Sequence, residues 1–463
     1  IRLSLVGSEM CIRDSVDISP GEVAFGALGS TVQLQATPRD ADGNAVEGRT
    51  VTWSTAGSGV VSVDSSTGTL TSVGAGTATV RASVGQVTGA LEVIVEQVPV
   101  SLELDAGPRT FDRIGVSVAL DPVAADSNGY AVTSTALSFV SSAPSAVHVT
   151  ADGVVTANGQ GSAEITVEGG GLSDAATFTV ALTGPHGGPV LGGDVPCAGG
   201  TAGPFPCAGV DLVSYLPLSA LGADPGVELN DMWGWRDAST DREYALVGRS
   251  DGVTFVDVTD AANPRALGHL PSAAPPSIWR DVKVYADHAY VVADGAPGHG
   301  IQVFDLTRLR DVEVFTTFTA DARYTGVSSV HNIAIDEATG FAYAVGSQAG
   351  GTTCGGGLHM IDLSSPKNPA FAGCFADPAT GRAGTGYTHD AQCVLYEGPD
   401  ADYAGREICI GSNETAISIA DVTDKQNPVA VSRAGYPDAR YVHQGWLTED
   451  HAYFVQNLSL IHI

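Results

Sequence analysis

The stretch GVTFVDVTDAANP, residues 252–264, decides the fold of the second half of the chain, because it recurs three times downstream. The recurrences are GIQVFDLTRL from Gly300, GLHMIDLSSPKNP from Gly357 and AISIADVTDKQNP from Ala416. Each copy has the alternating, β-branched character of a half-buried strand, and three of the four end at an Asn-Pro pair, which stops a strand. The acidic residues of successive copies are 48, 57 and 59 residues apart (257 to 305, 305 to 362, 362 to 421). This period is long for a solenoid and predicts four-stranded propeller blades.

A pair of strands precedes the recurring stretch in each predicted blade. Examples are WRDVKVYADHAYVVADG from Trp279, HNIAIDEATGFAYAVGS from His331 and HQGWLTEDHAYFVQ from His443. A blade then consists of an inner strand, a second strand, the recurring strand and a short outer strand. Five inner strands are visible, and the fifth blade breaks off. The sequence therefore predicts an incomplete propeller over residues 197–457.

The first part of the chain predicts two β-sandwiches, residues 16–97 and 98–183. Gly43 precedes Trp53 by ten residues as Gly129 precedes Phe139, so the two units repeat with a period of 86 residues (53 to 139). Alternating strands around a turn at residues 42–44 are typical of a hairpin, and the alternative of a calcium loop at that turn lacks a bidentate acid. A Gly- and Pro-rich linker, residues 184–196, follows. The fold class predicted is all-β, with two sandwiches followed by a truncated β-propeller of four-stranded blades.

Composition excludes several classes of function. The chain has 52 acidic residues against 22 Lys and Arg, a formal net charge of -30, which repels nucleic acid and anionic lipid surfaces. No run of about 18 apolar residues predicts a membrane span. Neither a nucleophile elbow nor a phosphate-binding glycine loop is present, so catalysis is not favoured. The ends, residues 1–15 and 458–463, resemble translated sequencing adapters of metagenomic genes and are left out of the fold.

Six cysteines lie beyond the linker, and six cysteines allow 15 pairings. Their local spacing favours three bridges, and an even count of scattered cysteines is typical of an oxidising compartment. Zinc is the competing interpretation, although no Cys-x-x-Cys pair is present. The predicted bridges are Cys197–Cys207, Cys354–Cys374 and Cys393–Cys409.

Histidines and aspartates recur at the starts of the inner strands, and they form the one group of residues with a possible chemical role. In a propeller these positions converge on one mouth of the central channel, so three imidazoles and three carboxylates would share a ring. Such a ring suits a divalent transition metal, or else it caps the channel through hydrogen bonds and ordered water, the alternative that we favour. Tryptophans flank the same starts and favour packing between blades over a ligand platform. The candidate metal ligands are His331, His389, His443, Asp231, Asp281 and Asp390.

Eight segments between residues 197 and 450 carry a family resemblance: CAGGTAGPFPCAGVDLVSYLPL, NDMWGW, SIWRDVKVY, VHNIAID, CGGGLHMIDL, YTHDAQC, GREICIGSNE and YVHQGWLTED. In this order they resemble the LVIVD-repeat propellers, and closely the choice-of-anchor B family of surface proteins. The runs from Gly68 to Ala82 and from Gly153 to Val167 resemble group 2 bacterial immunoglobulin-like (Ig-like) domains. These resemblances imply an extracellular or cell-surface protein and no particular activity.

Two hypotheses about function follow. The first is a secreted or cell-surface, non-enzymatic binding or display protein, whose Ig-like modules space a propeller that binds an unidentified protein or glycan. The second is a metal-binding protein or metal-dependent enzyme that uses the histidine and aspartate ring. Stoichiometric metal in untagged protein would favour the second.

Overall fold

The computed structural model describes residues 13–56, 59–105, 107–437 and 441–458. Most of the two terminal segments that resemble adapters, with Cys11, lies outside this range. The first strand begins at Arg13 and so includes the last three residues of the N-terminal segment. Within the described ranges no helix has the length and apolar character needed to cross a bilayer.

The first β-sandwich, sandwich 1, has nine strands. They form the sheets β2-β9-β8-β5 and β3-β7-β6 and the pair β1-β4. Trp53 is 5% exposed at the centre of the core. Gly68 has a φ of +76°, and a Cβ there would lie 2.7 Å from the Trp53 ring, so the turn needs glycine. The strands are β1 (Arg13–Ser19), β2 (Val23–Phe25), β3 (Thr31–Gln33), β4 (Gln35–Asp40), β5 (Thr52–Ala56), β6 (Val61–Val63), β7 (Thr69–Ser72), β8 (Gly76–Val84) and β9 (Val87–Val95).

The second sandwich, sandwich 2, repeats this arrangement. Its sheets are β11-β18-β17-β14 and β12-β16-β15, with the pair β10-β13. Phe139 takes the place of Trp53, and Gly153 again lies against the ring, with a φ of +82°. The predicted pair of Ig-like sandwiches is confirmed. The strands are β10 (Ser101–Asp105), β11 (Thr110–Phe111), β12 (Ser117–Ala119), β13 (Asp121–Ala125), β14 (Ser138–Ser141), β15 (Val147–Val149), β16 (Val154–Ala157), β17 (Gly161–Gly169) and β18 (Leu172–Val180).

Four sheets, named I to IV, follow, and in each of them four strands pair antiparallel in the order of the chain. One short extra strand, residues 316–317, pairs parallel at the edge of sheet I and lies in the chain between the third and fourth strands of sheet II. The recurring stretch is the third strand of every sheet, as predicted. A small hairpin and a 3-10 helix, Leu218–Leu221, come first. The strands are β19 (Thr201–Ala202) and β20 (Phe205–Pro206); in sheet I, β21 (Leu229–Asp237), β22 (Arg242–Arg249), β23 (Gly252–Asp257) and β24 (Arg265–Pro271), with β28 (Thr316–Thr317) added at the edge; and in sheet II, β25 (Arg280–Tyr285), β26 (His288–Ala293), β27 (Ile301–Asp305) and β29 (Ala322–Tyr324).

The first strands of neighbouring sheets lie side by side, in the order β21, β25, β30, β34 and β38. This arrangement brings the starts of these strands together. The remaining strands are, in sheet III, β30 (Asn332–Asp336), β31 (Phe341–Val345), β32 (Leu358–Asp362) and β33 (Ala370–Phe375); in sheet IV, β34 (Asp390–Leu395), β35 (Glu407–Ser412), β36 (Ile417–Asp421) and β37 (Val429–Ala434); and in a final pair, β38 (Val442–Leu447) and β39 (Phe454–Leu458). Short 3-10 helices span Leu306–Leu309 and Cys354–Gly356.

A polar joint connects the two sandwiches. In it, the turn of sandwich 2 at residues 126–130, the 126-turn, packs on the loop of sandwich 1 at residues 27–30, the 29-loop. Asp126 Oδ2 accepts hydrogen bonds from Leu28 N (2.9 Å) and Gln97 Nε2 (3.0 Å). Asn128 Nδ2 donates to Leu28 O (2.7 Å). The ring of Tyr130 lies over Gly29, where a Cβ would come within 3.1 Å of it.

A second joint connects sandwich 2 to sheet I. Phe315 lies over Gly115, which occupies the position of Gly29 one period later (29 to 115, 86 residues). Asn158 Nδ2 donates to Glu313 O (2.9 Å), and Asn158 Oδ1 accepts from Phe315 N (3.0 Å). One apolar cluster runs from sandwich 2 into sheet I, through Val256. The predicted linker, residues 184–196, forms isolated bridges with residues 212 and 215. The domain boundaries at residues 97, 183 and 196 stay predictions.

Candidate functional site

The structure brings the three predicted histidines together. His331 precedes β30, His389 precedes β34, and His443 is the second residue of β38. The imidazole centroids of His331 and His389 are 4.3 Å apart, and those of His389 and His443 are also 4.3 Å apart. The side chains converge because the first strands of sheets III and IV and of the last pair lie side by side.

The hydrogen bonds of His331 and His389 orient the two rings. Nδ1 of His331 faces Asp294 Oδ2 at 3.0 Å, and Nδ1 of His389 faces the backbone oxygen of His443 at 3.0 Å. Both partners accept, so each Nδ1 donates. The two Nε2 atoms face each other at 2.8 Å.

Asp294 was not predicted from the sequence. It follows β26, the second strand of sheet II, whereas the prediction considered only the starts of first strands. Its pKa lies below the ordinary value: desolvation raises it, but the hydrogen bond from His331, that from Gly295 N and the positive charge on His331 outweigh that effect. The signal available in the sequence was the Asp-Gly pair that ends the second predicted strand.

The three predicted carboxylates do not hydrogen-bond the imidazoles. Asp231, Asp281 and Asp390 surround Lys283 in a cavity of about 930 Å³ that the histidines also line. Asp281, 2% exposed, accepts from Lys283 Nζ (2.5 Å) and from Ile333 N (2.8 Å). Lys283 in turn lies 4.4 Å from the ring of Trp233. A buried ion pair thus occupies the place where the sequence predicted metal-ligating acids.

The pKa values of these three carboxyl groups differ from one another. Desolvation, together with the negative charge of Asp281, raises the pKa of Asp390 to about 7. Desolvation and the same neighbour raise the pKa of Asp231 to about 6. The pKa of Asp281 is lowered: desolvation opposes this, but the Lys283 ammonium and the hydrogen bonds to the carboxylate outweigh it. At neutral pH the cavity therefore holds one firmly ionised carboxylate and two that titrate near neutrality.

We expect Asp390→Asn to stabilise the protein at high pH but not at low pH. The folded protein binds this proton more tightly than the unfolded chain, in which aspartate has a pKa of about 3.9. The penalty for ionising Asp390 is therefore absent below about pH 4, grows as the pH rises, and levels off above about pH 7. Urea unfolding should show a gain of about 2–4 kcal/mol at pH 8, where the difference between a pKa of about 7 and one of about 3.9 sets the upper value, and almost none at pH 4. An equal gain at both values would contradict the assignment, and Asp121→Asn, at an exposed position, is the control.

A second cavity, of about 710 Å³, lies on the other side of the histidines, which line both. Trp279 (42% exposed), Arg382 and Tyr441 contribute to its walls, with the Arg382 guanidinium 4.7 Å from the Tyr441 ring. Ser347 is fully buried in the same wall, and within the described part of the chain its hydroxyl has no hydrogen-bond partner. The cavity therefore combines an aromatic surface, a cation and the buried hydroxyl of Ser347.

The tryptophans predicted to pack between blades differ in their environments. Trp235 is 6% exposed and stacks on Tyr244 with centroids 4.9 Å apart, as expected of a core residue. Trp279 and Trp446 are exposed and line the cavities. Trp279 also contacts His331, with 6.2 Å between the centroids. The exposed pair thus provides apolar surface beside the imidazoles.

The three predicted disulfides are confirmed: Cys197–Cys207, Cys354–Cys374 and Cys393–Cys409. Their sulfurs are used in bridges, which overturns the alternative of a zinc site built from these thiolates. For the histidines, no group of three or more His, Cys, Asp or Glu side chains in the described ranges has an arrangement that could hold a metal ion. The metal hypothesis stays a prediction.

Several solved structures are similar to this chain. Domains 5 and 6 of the S-layer protein SbsC share 20% identity, cover 36% of this chain and 97% of that chain, and have a TM-score of 0.17. The Yersinia pseudotuberculosis adhesin InvE shares 17% identity over 37% of this chain and 60% of that chain, with a TM-score of 0.23. The Escherichia coli adhesin FdeC shares 17% identity over 54% of this chain and 91% of that chain, with a TM-score of 0.24.

Among curated proteins none matches the chain. The family model for the bacterial Ig-like domain (group 2) matches residues 13–95. These residues coincide with sandwich 1, from the start of β1 to the end of β9. Residues 13–95 thus carry a bacterial Ig-like domain.

Proposed function

We propose that the protein is a non-enzymatic binding or display protein of the cell surface, in which the two Ig-like sandwiches carry a propeller, residues 197–457. The bacterial Ig-like match at residues 13–95 supports this proposal. Three disulfides support an oxidising, extracellular compartment. The polar joints at Asp126 and Asn158 suit a stalk that holds its end domain in place.

The connectivity of sheets I to IV supports the proposal of a propeller. Each has four antiparallel strands in chain order, with one added edge strand in sheet I, and its first strand lies beside the first strand of the next sheet. In a propeller the inner strands line a central channel in this way. The choice-of-anchor B resemblance of the same residues agrees with that arrangement and with a surface location.

The observation that carries the binding role is the convergence of three imidazoles between two cavities. Binding sites are concave and combine apolar surface with a few polar groups, and both cavities meet this description. We propose that an extracellular protein or glycan binds at this mouth, against the exposed face of Trp279.

The test compares retention of the full chain on glycan and surface-protein arrays. We expect Trp279→Ala to lose at least tenfold in retention, because it removes the aromatic face of the second cavity. Tyr453→Ala is the matched control, since Tyr453 is 73% exposed and lines neither cavity. Equal retention of the two variants would refute binding at this mouth.

A second candidate is metal binding, which the hydrogen bonds of His331 and His389 favour. Histidine ligands usually donate their other ring N–H to a carboxylate or a backbone carbonyl, and Nδ1 of each ring does so here. The two Nε2 atoms meet at 2.8 Å. In a tetrahedral zinc site they would be about 3.3 Å apart, so the two rings would separate by about half an ångström when a metal binds between them.

Metal content distinguishes the two candidates. If metal binds, untagged protein takes up one equivalent of zinc, and the affinity falls as the pH drops through about 6.5, because only the neutral imidazole binds a metal. His389→Ala would abolish this uptake and leave the disulfides intact. A loss of stability without any change in metal content would assign the histidines to capping the channel.

A further inference from the structure

The turn at residues 40–44 of sandwich 1, the 40-turn, is built like the 126-turn. Asp40 Oδ1 accepts from Asp42 N (3.0 Å) and Asn44 N (2.9 Å), as Asp126 Oδ1 accepts from the corresponding nitrogens of Asn128 and Tyr130, both at 3.0 Å. Each turn also closes with the same backbone hydrogen bond from its glycine, Gly43 N to Asp40 O and Gly129 N to Asp126 O. The two turns are 86 residues apart (40 to 126).

The 126-turn shows what this geometry binds. Its aspartate uses Oδ1 to hold the turn and Oδ2 to accept from the backbone of the 29-loop and from Gln97. In the 40-turn, Oδ2 of Asp40 accepts no hydrogen bond from the described residues, and residues 41–44 are exposed. The Arg39 guanidinium lies beside this turn and donates to Gly43 O (2.8 Å). The joint between the sandwiches therefore shows how a turn of this kind binds a loop. Sandwich 1 presents a second turn of the same kind, the 40-turn, at its end away from sandwich 2.

We infer that the 40-turn is a docking site for another Ig-like module, which presents a loop of the same kind as the 29-loop. A second copy of this chain is not the partner, because both of its loops of this kind are occupied. The 29-loop holds the 126-turn, and the loop at Gly115 holds Phe315. The partner is a separate module with an open loop.

Two differences between the turns define the chemistry of that partner. Asn128 donates to the carbonyl of Leu28, whereas Asp42, in the same position, only accepts. The partner therefore presents a hydroxyl or an ammonium opposite Asp42. Asn44 replaces Tyr130, which lies over Gly29. Because asparagine is smaller, the partner has room for a side chain where the 29-loop has glycine.

The probe is the full chain extended by one module: a copy of residues 13–100 joined to Ser15. This junction reproduces the step between the sandwiches, since Ser101 lies one period after Ser15. Bioorthogonal spin labels on Ser62 of the copy and on Thr88 measure the new joint. Labels on Ser62 and Ser173 measure the existing joint, and all three positions are exposed.

We expect the new joint to give one distance distribution, somewhat broader than that of the existing joint because Asp42 faces the Leu28 carbonyl of the copy, and both groups only accept. Asp40→Asn keeps one oxygen to hold the turn but replaces the other oxygen with an amide nitrogen that cannot accept. It should broaden the new distribution about twofold and leave the existing one unchanged. Asp126→Asn should do the reverse. Asp42→Asn should narrow the new distribution, because its amide donates to Leu28 of the copy.

Two results would overturn the inference. One is a new joint that stays broad with Asp42→Asn, together with a narrow distribution at the existing joint. The other is a new joint that Asp40→Asn leaves unchanged while Asp126→Asn loosens the existing joint. Either would show that the 40-turn is a solvated hairpin.

Discussion

Lys425→Met lowers the free energy of unfolding of sheets III and IV by about 3–5 kcal/mol, the largest loss that we expect from one substitution. Lys425 is 9% exposed and donates to Glu407, which is 4% exposed. Glu407 also accepts from Thr339 Oγ1 (2.7 Å) and from the Tyr343 hydroxyl. Without the ammonium, a carboxylate remains buried between the two sheets with no counter-ion, because methionine fills the space without charge.

The double variant Lys425→Met/Glu407→Gln separates charge from packing. Replacing both members of a buried pair is often nearly neutral, so the double variant should recover most of the loss. Denaturant unfolding of the full chain, followed by its midpoint, measures both. A double variant as unstable as Lys425→Met would show that packing against Phe341, 3.9 Å from the ammonium, dominates. Since these sheets position His331 and His389, the single variant should also disturb the histidine pair.

Removing the bridge Cys393–Cys409 by double substitution to alanine costs about 2–4 kcal/mol. The bridge joins directly opposed residues of β34 and β35 and closes a loop of 16 residues. Its main effect is on the unfolded chain, which gains conformational freedom when the loop opens. The effect should appear as a lower denaturation midpoint of the oxidised protein.

The bridge Cys197–Cys207 provides the control. It closes a shorter loop, of 10 residues, which lies outside sheets I to IV. Its removal should leave the unfolding midpoint of those sheets unchanged. Equal shifts for the two variants would contradict the local role of Cys393–Cys409, and no shift for either would contradict the loop-entropy argument.

The sequence predicted the elements that repeat. A strand pattern that recurs from Gly252 to Ala416 fixes the third strand of each sheet, and the 86-residue period fixes the two sandwiches. It also placed three histidines together, because equivalent strand positions converge wherever the first strands lie side by side. Cysteine spacing sufficed for the disulfides, since each pair bridges nearby segments of chain.

The partners of these side chains could not be predicted in the same way. His389 and Asp390 are adjacent at the start of a strand, and successive side chains point to opposite faces. The carboxylate therefore lies by Lys283, and the imidazole contacts His331. Asp294 reaches His331 from another strand of another sheet. Such contacts depend on how the sheets are stacked, which a repeating pattern within each sheet does not specify.

The glycines of the two joints have a mechanical consequence. At Gly29 and at Gly115 an aromatic ring rests where a side chain would otherwise stand, and polar groups close the contact. A tensile load along the chain must move each ring away from its glycine. At the same time it must break the hydrogen bonds of Asp126 at one joint or of Asn158 at the other. We therefore expect the chain to extend under force in steps. The joints open before the sandwiches unfold, so the chain lengthens while each sandwich stays folded.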